Sequence, residues 1–273
     1  MRRFLPGAWL FFLLPIALVA QNSPFSARSA ALGHASVALT DIYGSWNNQA
    51  SLAFLEKPTV GAFYENRYFM PELMGQGLAF AAPIKGKGTF GLNLYRFGYS
   101  EYNENKIGFA YAKNFGPTFS LGVQLNLHYM QFGDMYGSLF TASGEVSFLV
   151  RVSEKWHIGG HIFNPTRTPV ADFNREKMAT IFRLGMLYKF NDKLTTTAEF
   201  EKDLLYEPTF RAGVEYHLAE PLYVRIGLNT NPVMPSFGMG LHLKKRLILD
   251  VAARWHQVLG FAPQASLSYA FGK

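Results

Sequence analysis

Histidine and carboxylate side chains are the groups in this sequence that could do chemistry. His157 and His161 lie on the same face of one predicted strand, and two imidazoles on one face can form part of a metal site. Along an extended strand their spacing corresponds to about 13 Å, which is too far for one ion without a bend. We therefore predict no bound metal, and we assign both histidines to hydrogen bonding inside the protein.

Three further histidines, His217, His242 and His256, occur on the polar faces of separate strands late in the chain. If those strands align, the histidines could form a cluster with charged neighbours. Buried charges are normally paired with one another, so the favoured interpretation is a network of ion pairs. The residues assigned to this network are Arg183, Arg211, Glu215, Arg225, Asp250 and Arg254.

The sequence contains no recognisable catalytic motif. Cysteine is absent, which excludes disulfides, thiolate metal sites and cysteine nucleophiles. A nucleophile elbow, an HExxH helix, a phosphate-binding loop and a dinucleotide-binding fingerprint are also missing. A serine–histidine pair of a barrel hydrolase is the remaining enzymatic alternative. We predict that the protein is not an enzyme and needs no cofactor.

The elements that must position these side chains are β-strands. In residues 210–218, apolar residues alternate with polar or small ones such as Arg211 and Glu215, and a period of two is typical of a strand with one apolar face. Most such segments have about ten residues, the length of a tilted strand that crosses a membrane. The alternation predicts about fourteen strands, at residues 58–68, 76–85, 88–98, 104–114, 119–131, 139–152, 156–163, 177–190, 194–204, 207–218, 221–230, 235–245, 246–257 and 262–272.

The connections between the predicted strands alternate in length. Tight turns, such as residues 85–88 and 153–155, are followed by longer loops, such as residues 66–75 and 164–176. This rhythm is typical of an outer-membrane barrel, which has short periplasmic turns and longer external loops. The loop at 164–176 is the longest connection and the best candidate for an external contact surface.

A soluble β-barrel or sandwich is the main alternative architecture. Its outer face would be rich in charged residues, but only 16% of this chain is charged while 49% is hydrophobic. Soluble domains contain about 25% charged residues. The polar face here consists mostly of Gly, Ser, Thr and Asn, which suits a crowded lumen. We therefore predict an all-β protein, a transmembrane antiparallel β-barrel surrounded by the lipid of a bacterial outer membrane.

The N-terminus predicts export. Two arginines precede an apolar stretch that ends near Ala20, which is the pattern of a signal peptide at residues 1–20 that is cleaved after translocation. An anchoring helix is the less favoured alternative, because two prolines interrupt the stretch. Cleavage would lower the formal net charge from +7 to +5. That excess is modest, and we expect no nucleic-acid partner.

The segment at 21–57 consists largely of small and weakly apolar residues and has no strand alternation. This composition predicts a plug inside a barrel formed by 58–273. Its run ARSAALGHA, at 27–35, resembles the ARSAGMGGA element of the FadL-like outer-membrane barrels. Its run NQASLA, at 48–53, resembles their NPAGLA box, with Gln49 in the place of proline. In particular, the segment resembles that of the PorV/PorQ-type proteins of type IX secretion systems.

The resemblance implies two functions. One is an accessory, shuttle or scaffold component of an envelope secretion or assembly machine, bound to other envelope proteins. The other is passive transport of a hydrophobic small molecule, in which an interruption of the second strand at Pro83 would open the wall to the membrane. In both cases we expect the plug or ligand contacts at Arg28, His34, Trp46, Asn47 and Asn48.

Overall fold

A computed structural model describes residues 25–133, 137–168, 177–244 and 246–272. In these ranges fourteen antiparallel strands follow one another around a closed barrel, and the first strand pairs with the last. The predicted fold class is therefore confirmed. The predicted signal peptide and residues 169–176 of the longest predicted loop lie outside the described residues.

The observed strands match the predicted segments closely, because period-two alternation and turn residues mark both their faces and their ends. They are β1 (Thr59–Asn66), β2 (Met74–Ile84), β3 (Gly88–Gly98), β4 (Tyr102–Asn114), β5 (Phe119–Phe132), β6 (Ser138–Arg151), β7 (Trp156–Phe163), β8 (Ile181–Lys189), β9 (Leu194–Asp203), β10 (Thr209–Ala219), β11 (Leu222–Asn229), β12 (Met234–Leu243), β13 (Leu247–His256) and β14 (Gly260–Ala270).

The two ends of the barrel differ in their connections. Tight turns, such as residues 85–87 and 153–155, join the strands at one end, which we call the short-turn end. Longer segments, such as residues 67–73 and 204–208, join them at the other, the long-loop end. The alternation of connection lengths expected from the sequence is thus present.

Strand β8 begins at Ile181 and not at the predicted residue 177. The Asn164 side chain accounts for the difference, since its Nδ2 donates to the carbonyl oxygens of Met178 at 3.0 Å and Ala179 at 3.4 Å. The Met178 N–H in turn donates to the carbonyl of Thr168 at 2.9 Å. Backbone groups inside a protein need partners, and here a loop and a side chain supply them in place of a strand ladder.

The alternation corresponds to two faces of the barrel wall. Outward side chains are apolar and open, with Ile226 63% and Leu125 55% exposed. Inward side chains include charges that are almost fully buried, such as Arg225 and Glu145, each 2% exposed. This distribution is the reverse of that in a soluble protein and is the one expected of a barrel with a lipid-facing surface.

The chain that precedes β1 lies inside the barrel. It forms helix α1 (Ala27–Ala31), helix α2 (Gly44–Asn47) and a 3-10 helix (Gln49–Phe54), and we call residues 25–58 the plug. The Ser26 hydroxyl accepts a hydrogen bond from the Ser29 N–H at 3.1 Å and so caps α1. Helices this short are unstable in isolation, so contacts with the wall must hold them.

No helix in the described ranges is both long enough and apolar enough to span a membrane.

Glycines on the inner wall allow the plug backbone to approach closely. A Cβ atom added at Gly159 would lie 2.2 Å from the carbonyl oxygen of Val37, and one added at Gly122 would lie 2.3 Å from the backbone nitrogen of Ala50. Real Cβ atoms do not approach other atoms to such distances. The plug can therefore pack this closely against the wall only because these positions are glycine, which has no side chain.

The wall is continuous at Pro83. This residue pairs with Thr89 in the β2–β3 ladder, whose register runs without a shift from Gly75 to Ile84. The expected interruption of the second strand at Pro83 is therefore not found.

Candidate functional site

The plug is joined to the wall by a chain of ion pairs that starts at Arg28. Its Nε and Nη2 atoms donate to the two carboxylate oxygens of Glu215 at 2.9 and 2.8 Å. Arg225 Nε donates to the same carboxylate at 2.6 Å, and its Nη1 donates to Asp250 at 2.6 Å. Bidentate contacts of this kind fix both position and orientation, so the Arg28 side chain ties α1 to β10.

Arg28 stays charged in this setting. Burial by itself lowers the pKa of the Arg28 guanidinium, but the carboxylates of Glu215 and Asp41 outweigh that effect and leave the pKa raised above its ordinary value. The Asp41 carboxylate lies 3.4 Å from Arg28 Nη1. The plug therefore carries a permanent cation that the wall must neutralise.

A second group of ion pairs lies on β8, β9 and β10. Arg211 donates to Glu199 at 2.9 Å and to Glu201 at 2.7 Å, while Arg183 Nε donates to Glu201 at 2.6 Å. The second oxygen of Glu199 accepts hydrogen bonds from the backbone N–H groups of plug residues 36 and 37, at 2.7 and 2.8 Å. This group therefore also anchors the plug.

A third group surrounds Glu65 at the long-loop end of β1. Arg254 Nη2 and Gln264 Nε2 both donate to Glu65 Oε1 at 2.9 Å, and Arg67 Nη2 donates to Oε2 at 3.3 Å. The six residues that the sequence assigned to one network thus fall into three groups, with Arg254 separate from the others. Sequence reasoning missed Glu65, which occupies the penultimate position of its strand.

A fourth polar group is centred on Glu145. Its oxygens accept hydrogen bonds from Gln49 Nε2 at 2.5 Å and Asn126 Nδ2 at 2.7 Å, and His161 Nε2 lies 2.8 Å away. Lys106 Nζ is 3.7 Å from the same carboxylate. His161 therefore takes part in a hydrogen-bonded cluster, and Gln49, which stands where the NPAGLA box that this segment resembles has a proline, ties the plug to it.

Of the three late histidines, two are brought together around one aromatic ring and the third lies apart. His217 and His242 stack on the two sides of the Tyr223 ring, with centroid distances of 4.4 and 4.1 Å. His256 lies at the long-loop end, where its Nδ1 accepts a hydrogen bond from the Val258 N–H at 3.2 Å. Among the described residues no group of three or more His, Asp or Glu side chains is arranged to hold a metal ion.

Aromatic residues form a packed cage around the first described residue of the plug. The Phe25 ring lies 4.7 Å from Tyr95, 4.9 Å from Phe63 and 5.6 Å from Trp46, measured between ring centroids. The Asn47 side chain fixes the backbone of Phe25, since its Oδ1 accepts from the Phe25 N–H at 2.9 Å and its Nδ2 donates to the Phe25 carbonyl at 3.0 Å. Phe25 itself is only 3% exposed.

Two other plug residues singled out in the sequence have structural contacts. Asn48 Nδ2 donates to the carbonyls of Val37 at 2.6 Å and Phe148 at 3.0 Å, so it joins two parts of the plug to β6. His34 has a left-handed backbone, with φ of 65°, and its Nδ1 lies 3.4 Å from the Ser29 hydroxyl. Burial, reinforced by the charges of Arg254 and Arg211, holds the pKa of the His34 imidazole well below its ordinary value.

An apolar patch lies inside the barrel near the long-loop end. It consists of Met130, Phe163, Met178 and Ile181, with Phe132 and Leu139 packed beside it. Lys106 separates this patch from the cage, because its Nζ lies 5.9 Å from the Phe163 ring centroid and 5.8 Å from the Phe25 ring centroid. The long-loop half of the lumen therefore contains apolar surface on both sides of one cation.

Comparison with known proteins finds matches to the fold of this chain but not to its sequence. No protein-family model matches the sequence, and no curated protein matches it. The toluene transporter TbuX of Ralstonia pickettii matches the structure with a TM-score of 0.73 at 12% identity, covering 93% of this chain and 100% of that chain. The CymD monoaromatic hydrocarbon channel matches with a TM-score of 0.69 at 10% identity, covering 90% and 97%.

A FadL homologue of Pseudomonas aeruginosa matches with a TM-score of 0.63 at 13% identity, covering 89% of this chain and 98% of that chain. Identities this low establish a shared fold and nothing narrower. The structure thus resembles FadL-like barrels, and the narrower resemblance to PorV/PorQ-type proteins is not shown by these matches.

Proposed function

We propose that this protein is a passive transporter of hydrophobic small molecules in a bacterial outer membrane. The observation that carries the proposal is the cage of Trp46, Phe63 and Tyr95 around the Phe25 ring inside a barrel with an apolar outer belt. The matched hydrocarbon channels lend support through their shared fold. The membrane location also rests on the signal peptide predicted at residues 1–20.

The cage is suited to a small aromatic compound. A phenylalanine side chain is a benzyl group, close in size and shape to toluene, so Phe25 occupies the space that such a ligand would fill. Aromatic rings at centroid distances of 4.5–7 Å stabilise one another beyond the burial of their area. A ligand would replace the contacts of Phe25, while Asn47 would lose its two backbone hydrogen bonds to that residue.

The apolar patch near the long-loop end provides the entry surface in this proposal. Met130 and Met178 belong to it, and methionine adapts its shape to ligands because its chain is flexible and its sulfur polarisable. From the patch, a ligand passes Lys106 to reach the cage. Since the plug fills the lumen, transport requires the plug to rearrange, and Phe25 is the first residue on this route.

The first experiment compares Phe25→Ala with the wild type. Removing a buried ring leaves a cavity of benzene size, and such apolar cavities bind aromatic molecules. We expect toluene to bind F25A more tightly and to raise its melting temperature more than that of the wild type. Phe237→Ala, on the outer wall, is the matched control and should respond to toluene like the wild type.

Uptake is measured with labelled toluene in a host that lacks its own hydrocarbon channel. Cells that express the full chain should accumulate the label faster than cells that do not. If neither the wild type nor F25A is stabilised by toluene and expression does not change accumulation, the transport proposal is wrong.

A second candidate function is the accessory or scaffold component of a secretion or assembly machine. The observation that favours it is the number of separate anchors that hold the plug, at Glu215, Glu199 and Glu145. A permanently closed barrel would serve a structural role better than a channel role. Purification in mild detergent distinguishes the two, because a scaffold should retain another envelope protein at fixed stoichiometry, whereas a transporter should be isolated alone.

A further inference from the structure

The short-turn end of the barrel contains a polar cleft of about 420 Å³. We propose that it is a binding site for a compact oxyanion, a carboxylate or a phosphate group. Its floor and walls come from the plug, from the turns before β5 and β7, and from the ends of β6 and β8. The lining side chains that the argument uses are Thr40, Arg151, Ser153, Glu154, His157 and Lys189.

Arg151 is the main cation of the cleft. Its guanidinium stacks on the plug residue Phe54, with the Cζ atom 3.6 Å from the ring centroid. Stacking leaves the edge of a guanidinium available for in-plane donors. The Nε atom has no hydrogen-bond partner within the protein. An arginine held in place by an aromatic ring but not satisfied by a carboxylate is suited to a bidentate oxyanion.

His157 and Lys189 complete the cationic side of the cleft. His157 is only 5% exposed, and its Nδ1 has no protein partner. Buried polar atoms are normally paired, so an unpaired one on a cavity wall indicates that a bound group or water supplies the partner. Arg151, His157 and Lys189 all line this one cleft, so the three groups face the same cavity.

Two acidic residues limit the positive charge of the site. Glu154 lines the cleft from an exposed turn, and Glu56 lies in the plug two residues after Phe54, the ring on which Arg151 stacks. The cations lie at strand ends, whereas the lining carboxylate lies on the rim. We therefore expect the site to bind a compact anion with one or two negative charges, with little preference between the two charge states. This proposal does not depend on the transport function, because the cage and the cleft share none of the residues that line them.

The experiment uses the full chain folded in detergent micelles and titrated by calorimetry at constant ionic strength. Inorganic phosphate and benzoate are titrated in separate arms. We expect at least one of them to bind, with Arg151→Gln and Lys189→Gln each weakening binding about tenfold, as for the loss of one charge-assisted contact. Glu154→Gln should strengthen binding, because it removes the only carboxylate among the described lining residues.

Lys85→Gln is the control, since Lys85 is a cation in another tight turn of the same end. It should bind both anions like the wild type, and heat-modifiable migration verifies that every variant is folded. Binding of phosphate alone assigns a phosphate ligand, and binding of benzoate alone assigns a carboxylate ligand. If neither anion binds, or if R151Q and K189Q both bind as tightly as the wild type, the proposal is wrong.

Discussion

Gln49 illustrates what a single residue contributes to the attachment of the plug. Its side chain donates to Glu145, which lies 96 positions later in the chain. A proline, which stands at the corresponding position of the NPAGLA box that this segment resembles, would have no side-chain donor and could not make the contact. Glutamine at this position therefore supplies an anchor between the plug and β6 that proline could not supply.

His34 gives a prediction about acid stability. Its imidazole is neutral in the folded protein because burial and nearby arginines depress its pKa. The unfolded chain binds a proton on this residue below about pH 6.5, so folding stability falls as the pH decreases through that value. From pH 8 to pH 5.5 the wild type should lose about 1 kcal/mol more unfolding free energy than His34→Asn.

Asparagine is the appropriate substitute, because it tolerates the left-handed backbone of this position, with φ of 65°. Guanidinium titrations of both proteins at the two pH values measure the difference. Equal losses in wild type and H34N would contradict a depressed pKa at His34.

The partners of charged residues could not be inferred from the sequence, although their inward orientation could. Alternation places Arg211 and Arg254 on the lumen side of their strands, as observed. It does not show that Arg211 binds Glu199 and Glu201 while Arg254 binds Glu65, because that depends on register and on contacts across the lumen. Glu65 and Arg254 are 189 positions apart.

At the level of elements, Gly159 on β7 allows the plug backbone to pack against the barrel wall. Alanine at this position would place a Cβ atom 2.2 Å from the Val37 carbonyl oxygen, and both groups belong to backbone that cannot easily move. We expect Gly159→Ala to destabilise the folded protein by about 1–3 kcal/mol and to make the plug more sensitive to protease.

Gly144→Ala is the matched control, because the nearest atom to its added Cβ would be 3.9 Å away, an ordinary contact distance. The test is limited proteolysis followed by mass spectrometry, together with thermal unfolding. A G159A protein with a plug as resistant as that of G144A would show that the close approach is not required.

Strands were predictable and the plug helices were not, for a physical reason. A strand such as β7 is marked locally by alternation and by the turn before it, and its predicted range, 156–163, is the observed one. Helix α1 has five residues and no amphipathic period, so only its contacts with the wall determine its form. The start of β8 at Ile181 could not be predicted from the sequence either, because it depends on a hydrogen bond from the Asn164 side chain to the Met178 carbonyl.

At the scale of the whole molecule, the outer belt distinguishes a membrane barrel from a soluble one. Leu125 lies in the middle of β5 and is 55% exposed on the outer face. In a bilayer, Leu125→Arg should cost about 2–4 kcal/mol of folding free energy. In water the same change would be close to neutral.

Leu205→Arg serves as the control, because Leu205 is 69% exposed in a connection at the long-loop end. Both variants are folded into phospholipid vesicles and unfolded with guanidinium. If Leu125 faces lipid, L125R should be less stable than the wild type while L205R should not. Equal stability of the two variants would contradict a lipid-facing position for Leu125.

The pairing of β1 with β14 has a consequence for the order of assembly. The plug precedes β1 in the chain, yet α1 packs against β11, β12, β13 and β14. The Ala27 N–H donates to the Ser266 hydroxyl at 3.2 Å, and the Gly33 N–H donates to the Ser236 hydroxyl at 3.1 Å. The earliest segment thus obtains its binding surface only when the latest strands arrive. The wall surface that α1 occupies is therefore complete only when β11 to β14 are in place, so formation of the β1–β14 seam and docking of α1 depend on the same late strands.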